Sequence, residues 1–240
     1  MENVQYSPIR NYRYEHFFQE VQYNGKELNN DERKVFVRVV DELISQFSEG
    51  LPKVKSLLDS NKDVHDEYHE AYSVLVSVMQ FVMMTMIDSM VIGKYFILAN
   101  KDYDRRFMRG KMKVILNEGF KKLYGFEEKS HKKSEWYRLA GIMKYFPKNM
   151  ISQYQELSSL LEEQSISSSW WKDERDVETH LDADKLYVSR CEDVVESKVM
   201  MDSMKLYYAL SAVDAFLTNM HRCFYNFCID KYNRGELKEE

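Results

Sequence analysis

The chain is poor in the residues that break helices. Among its 240 residues, glycine occurs 8 times and proline 3 times. So few breakers leave little material for the tight turns that join short strands. No stretch alternates apolar and polar residues between turn signals, so no sheet is expected. Cysteine is scarce too. Cys191, Cys223 and Cys228 are an odd set without paired spacing, which argues against a disulfide framework and for a reducing compartment. The opening Met1-Glu2-Asn3-Val4-Gln5 has neither a basic stretch nor an apolar one. No signal peptide is expected, and the expected location is cytoplasmic.

What is present favours helix. Apolar residues make up 44% of the chain, charged residues 30%, and methionine occurs 14 times. That is enough apolar material for a real core. The expected class is all-α, a bundle of six to eight helices. Residues 1–29 read as an irregular arm packed on the body. Residues 30–240 read as one all-α domain without an obvious linker.

The expected elements follow from apolar spacing and stop signals. Asn30 is the expected N-cap of a first helix that Gly50 and Pro52 end. A long helix runs from about Val64 to Ala99. A break at Asn100–Tyr103 precedes a helix from Asp104 to about Leu123, with Gly125 past its end. Further helices span about Ser134 to Phe146, closed by Pro147, and 149–163. Ser165–Ser169 reads as a hinge, with Ser168 or Ser169 capping a helix that runs to about Val188. A break near Ser189–Glu192 precedes a final helix from 193 to about 232. Its apolar stripe is Val194, Met201, Met204, Tyr208, Ala212, Phe216, Met220, Cys223 and Phe227.

The segment Val74–Leu98 is apolar enough to raise the question of a membrane span. Asp88 and Lys94 interrupt it, and Ser77, Gln80, Thr85 and Ser89 dilute it. A core helix buried on nearly all sides fits better, since charges inside a bilayer are costly. No membrane partner is expected.

Net charge is −5. Residues 101–148 nevertheless hold 14 Lys or Arg against 6 Asp or Glu. This basic block suits either a polyanion or a solvated helical face. Arg105, Arg106, Arg109, Lys111 and Lys113 are its candidate nucleic-acid contacts.

The sharpest motif is Arg175-Asp176-Val177-Glu178-Thr179-His180. It lies in the helix before the final long one. Arg, carboxylate and imidazole within six residues could bind a phosphodiester and abstract a proton. This R-D-x3-H pattern, in an all-helical setting, resembles the motif of the HEPN superfamily (higher eukaryotes and prokaryotes nucleotide-binding). The resemblance covers roughly the C-terminal 90 residues, about 149–235. It implies a dimer whose motifs face each other, and often a metal-independent endoribonuclease of toxin–antitoxin or phage-defence type. His180 would then take the proton from a ribose 2′-hydroxyl, and Arg175 would stabilise the phosphoryl oxygens. Asp176 would orient His180. No cofactor is implied.

Geometry bears on part of this. Asp176 and His180 are four apart and share a helix face. Arg175 and His180 lie about 140° apart around a straight helix. A symmetric partner is therefore expected to complete the site. A non-catalytic reading stands beside it: a helical scaffold or protein-partner-binding domain, with Arg175 and His180 on a surface face and Trp170, Val177, Leu181 and Val188 toward the core. A second Arg–His match, Arg10 to His16, falls in the irregular arm and is set aside.

Two other groupings carry less. His65 and His69, with Asp66 between, have the i, i+4 spacing of a helical metal pair. No third ligand is evident, and a polar first turn explains them. His221, Cys223 and Cys228 lack the close cysteine pair of a zinc site, and Cys223 reads as core. No metal site is expected.

Overall fold

A computed structural model describes residues 28–60, 67–168, 171–180, 185–187 and 196–234. The described residues form a multi-helix bundle and contain no strand. The helices are α1 (Asn30–Ser60), α2 (Glu67–Leu98), α3 (Asp102–Leu123), α4 (Glu128–His131), α5 (Glu135–Ala140), α6 (Lys148–Ser168), α7 (Trp171–His180) and α8 (Glu196–Asn233). A 3-10 turn, Met143–Tyr145, joins α5 to α6. Residues 1–27 of the expected arm, His65 at the expected start of the long helix and the expected break at 189–192 lie outside the described residues.

Helix α2 is the centre of the bundle. It packs against α1, α3, α5 and α8. Leu75, Val78, Val82, Met86, Met90 and Phe96 are buried along it. Its residues Tyr68–Leu98 are long and apolar enough to cross a membrane, and half of the apolar window is buried inside the protein. Lys94, one of the charges in this run, pairs with Asp41 of α1. Arg33 ties the same two helices at their ends, donating from Nη1 to the carbonyl of Ile97 at 2.7 Å. That carbonyl belongs to the last turn of α2, where no helical donor remains.

Several expectations are corrected. Asn29, not Asn30, caps α1: its Oδ1 accepts from the backbone N–H of Asp31 and Glu32, and Glu32 accepts from Asn29 N–H at 2.7 Å. This is a reciprocal capping box. α1 does not stop at Gly50 and Pro52 but runs to Ser60 with Pro52 inside it. Continuation buries Val54 with Val76 and Met83 of α2, and Gly50 lets Met83 approach where a Cβ would stand 2.6 Å from its Cε. Packing outweighs the local stop signal. Ser165–Ser168 is the end of α6 rather than a hinge. Ser165 Oγ donates to the carbonyl of Gly125, 2.9 Å away.

The expected helix 134–146 divides at Gly141 into α5 and the 3-10 turn. Short α4 has no counterpart among the expected elements. Gly125 takes φ +91° after α3, the left-handed conformation that glycine adopts without Cβ strain.

The α8 stripe is also partly corrected. Phe216 and Met220 are buried as expected, but Ala212 is exposed. The buried set runs through Leu206, Leu210, Val213, Leu217 and Phe224. Residues chosen every four positions drift about 40° per step on a helix of 3.6 residues per turn.

Candidate functional site

Helix α7, which carries the motif, packs on α3, which carries much of the basic block. Among the described side chains the contact is polar. From α3, Gly110, Lys113 and Asn117 fall at helical spacing on one face, and all three are buried. From α7, Arg175 and Glu178 meet them. Val177, expected to lead toward the core, is only half-buried, whereas Glu178 is 6% exposed. Trp170, Leu181 and Val188 lie outside the described residues.

Arg175 is not on an open surface face. Its side chain is 15% exposed. Its Nε donates to Asn117 Oδ1 at 3.2 Å and lies 3.2 Å from Glu118 Oε1. Its Nη1 lies 2.9 Å from Asp176 Oδ1. Asp176 is thus engaged with the motif arginine. His180 closes α7, and its side chain lies outside the described set. Thr179, between them, donates to the carbonyl of Arg175 at 3.0 Å.

Glu178 fills a notch at Gly110. A Cβ built on Gly110 would stand 2.2 to 2.4 Å from the carboxyl carbon and oxygens of Glu178. Only glycine lets the carboxylate seat there. Asn117 is fully buried, and its Nδ2 has no hydrogen-bond partner. An unsatisfied buried donor of this kind costs about 1–3 kcal/mol. None of Gly110, Asn117, Glu118 and Glu178 was expected as a site residue. The available signal was a glycine in the middle of a basic helix, with Lys113 and Asn117 three and seven residues on.

The basic block does not form one solvated face. Lys113 is 4% exposed. Arg105, Arg106 and Arg109 are half-buried, and the Arg105 guanidinium lies 5.6 Å from the Phe96 ring centroid. Lys111 is exposed with its Nζ 5.0 Å from the Phe107 ring centroid. Further along, Lys122 and Arg138 bracket the buried carboxylate of Glu135.

The other groupings resolve into packing. Among the described residues, no group of three or more His, Cys, Asp or Glu could hold a metal. His65 and Asp66 lie outside the described residues, and His69 is half-buried in the first turn of α2. His221 Nε2 and the Tyr72 hydroxyl are 2.8 Å apart. Burial lowers the His221 pKa and raises that of Tyr72, with Cys228 adding to the latter. Cys223 is a half-buried thiol against the core, and burial raises its pKa against the opposing pull of Arg222. No protein-family model, curated protein or solved structure matches the chain.

Proposed function

We propose that this protein is an HEPN-like, RNA- or nucleotide-binding protein, working as a two-fold dimer, with Arg175, Asp176 and His180 as a metal-independent endoribonuclease site. The observation that carries this reading is the packing of the motif helix α7 on the basic helix α3. It supports the reading because the helix that carries the motif arginine rests on the helix that carries five of the basic residues a phosphate backbone would need. In the reaction, His180 takes the 2′-hydroxyl proton. The O2′–P bond forms as the P–O5′ bond breaks, and the leaving 5′ oxygen takes a proton from solvent. The ends are a cyclic phosphate and a 5′-hydroxyl. Arg175 stabilises charge on the phosphoryl oxygens. The setting is cytoplasmic toxin or phage-defence chemistry.

The test is RNA cleavage by the purified protein in EDTA. His180→Ala should remove it, since loss of a general base costs roughly 10²–10⁴ in rate.

A second reading has an observation of its own. Arg175 is largely buried and paired with Glu118 and Asp176. That suits a non-catalytic helical scaffold that binds a protein partner, in which Arg175 fastens α7 to α3. Cleavage that survives His180→Ala, or no cleavage at all, selects this reading.

A further inference from the structure

Glu178 is an unusual group to find sealed under a helix. It is 6% exposed, comes from a helix of 10 residues, and lies in the only glycine position of the α3 face it touches. Arg106 lies four residues before Gly110 and Lys113 three after, so both stand beside the notch on one side of α3. Lys113 is itself buried. Two turns along the same face, Asn117 presents a buried Nδ2 with no acceptor. The α3 face that receives this carboxylate therefore carries two cationic residues at helical spacing and a buried donor still lacking an acceptor. It has the chemistry of an anion-binding surface.

We propose that this α3 face, Arg106–Gly110–Lys113–Asn117, is the phosphate-binding site for single-stranded RNA, and that Glu178 occupies it as an internal stand-in for a phosphate. The proposal rests on the RNA-binding reading above and goes further by placing the ligand between α3 and α7. Incoming phosphate displaces the Glu178 carboxylate, and its oxygens supply the acceptor that Asn117 lacks. The same displacement loosens α7. A helix this short is marginal without its tertiary contacts, so its seat depends on what Glu178 and Arg175 hold. The docked form is then the closed one, with Arg175 held by Glu118 and Asp176. Affinity for RNA is reduced by the fraction of molecules that are closed.

Two variants attack the contact from opposite sides. Glu178→Gln removes the charge and keeps the shape. Gly110→Ala keeps every charge and expels the carboxylate, which is the movable end of a side chain; alanine also suits a helix interior better than glycine. The full-length parent, both variants and the control Glu128→Gln, an exposed acid on α4, are titrated with a fluorescent oligouridylate at low salt. Melting curves confirm folding. Both variants should bind more tightly than the parent, on the order of tenfold if about a tenth of the parent is open, and the control should match the parent. Amide exchange in α7 should quicken when the parent is given oligouridylate. Binding by the parent that is unchanged or weakened in both variants overturns this site and leaves the RNA reading standing. No binding by parent or variants overturns both.

Discussion

Asp214 lies half-buried on α8, and burial alone pushes its carboxyl up to about 6. In the unfolded chain the group ionises near its ordinary value, so between about pH 4 and 6 the folded state holds the extra proton. Stability from this group is therefore present at low pH and lost as pH rises through about 6. Asp214→Asn should raise stability at pH 7 by on the order of 2 kcal/mol and have little effect at pH 4, read from denaturant melts at both values. An equal gain at both would show that charge burial is not the cause. Arg175 makes a second residue-scale case. Its removal leaves Asn117 buried with neither amide atom bonded, so Arg175→Ala should cost about 2–3 kcal/mol. Arg175→Lys should recover only part, because an ammonium cannot reproduce the Nε bond. A loss within about 0.5 kcal/mol would mark an ordinary surface residue. Sequence spacing had suggested such a surface residue. Arg175 does fall off the apolar stripe of its helix, yet it is largely buried against Asn117 and Glu118 of α3. A polar face can bury against a polar face, and hydrophobic periodicity gives no sign of it. The cap of α1 was legible to within one residue, since Asn29 and Asn30 are chemically identical and only the bond to Glu32 separates them.

At the scale of elements, the long helices follow from the scarcity of breakers. Where breakers occur, their effect depends on tertiary surroundings. Gly125 ends α3 in the left-handed conformation. Gly50 and Pro52 do not end α1, because the turn that follows has Val54 to bury against α2. Gly119 is a third case. A Cβ there would stand 2.9 Å from Thr85 Cγ2 and 3.3 Å from Leu206 Cδ2, so α3 uses it to nest against α2 and α8. Gly119→Ala gains helix propensity but overfills this contact, and should destabilise by about 1–3 kcal/mol. Gly110→Ala should cost less than Gly119→Ala, since the atoms in the way are the movable end of a glutamate and the gain in helix propensity offsets part of the lost seat. A melting comparison of the two checks the contrast, and similar shifts would refute it. The local sequence cannot distinguish these glycines. Their difference lies in what a Cβ meets on a neighbouring helix. Ser165 is similar: its hydroxyl reads as loop chemistry until its acceptor at Gly125, 40 residues earlier, is known.

At the scale of the molecule, the bundle gathers around α2, whose apolar run is covered by four other helices. The all-α class was legible from composition and spacing. The seam between α3 and α7 was not, because it joins segments far apart in sequence through single polar residues. The helix that carries Arg175 was legible, and its contacts with Asn117, Glu118 and Gly110 were not. The proposed dimer belongs to this scale. Arg175 and His180 diverge on one helix, so a working site needs a second copy with its residues 170–181 nearby. Sedimentation at micromolar concentration should give twice the chain mass. A monomer there would count heavily against catalysis by this motif.

Catalysis by Arg175 and His180 is tested most directly by RNA cleavage by the purified full-length protein in EDTA, with the product ends identified. Cyclic phosphate ends are expected, and they should be lost in His180→Ala while the melting temperature stays that of the parent. Absence of cleavage, or a His180→Ala protein that cleaves as the parent does, would contradict catalysis by these residues.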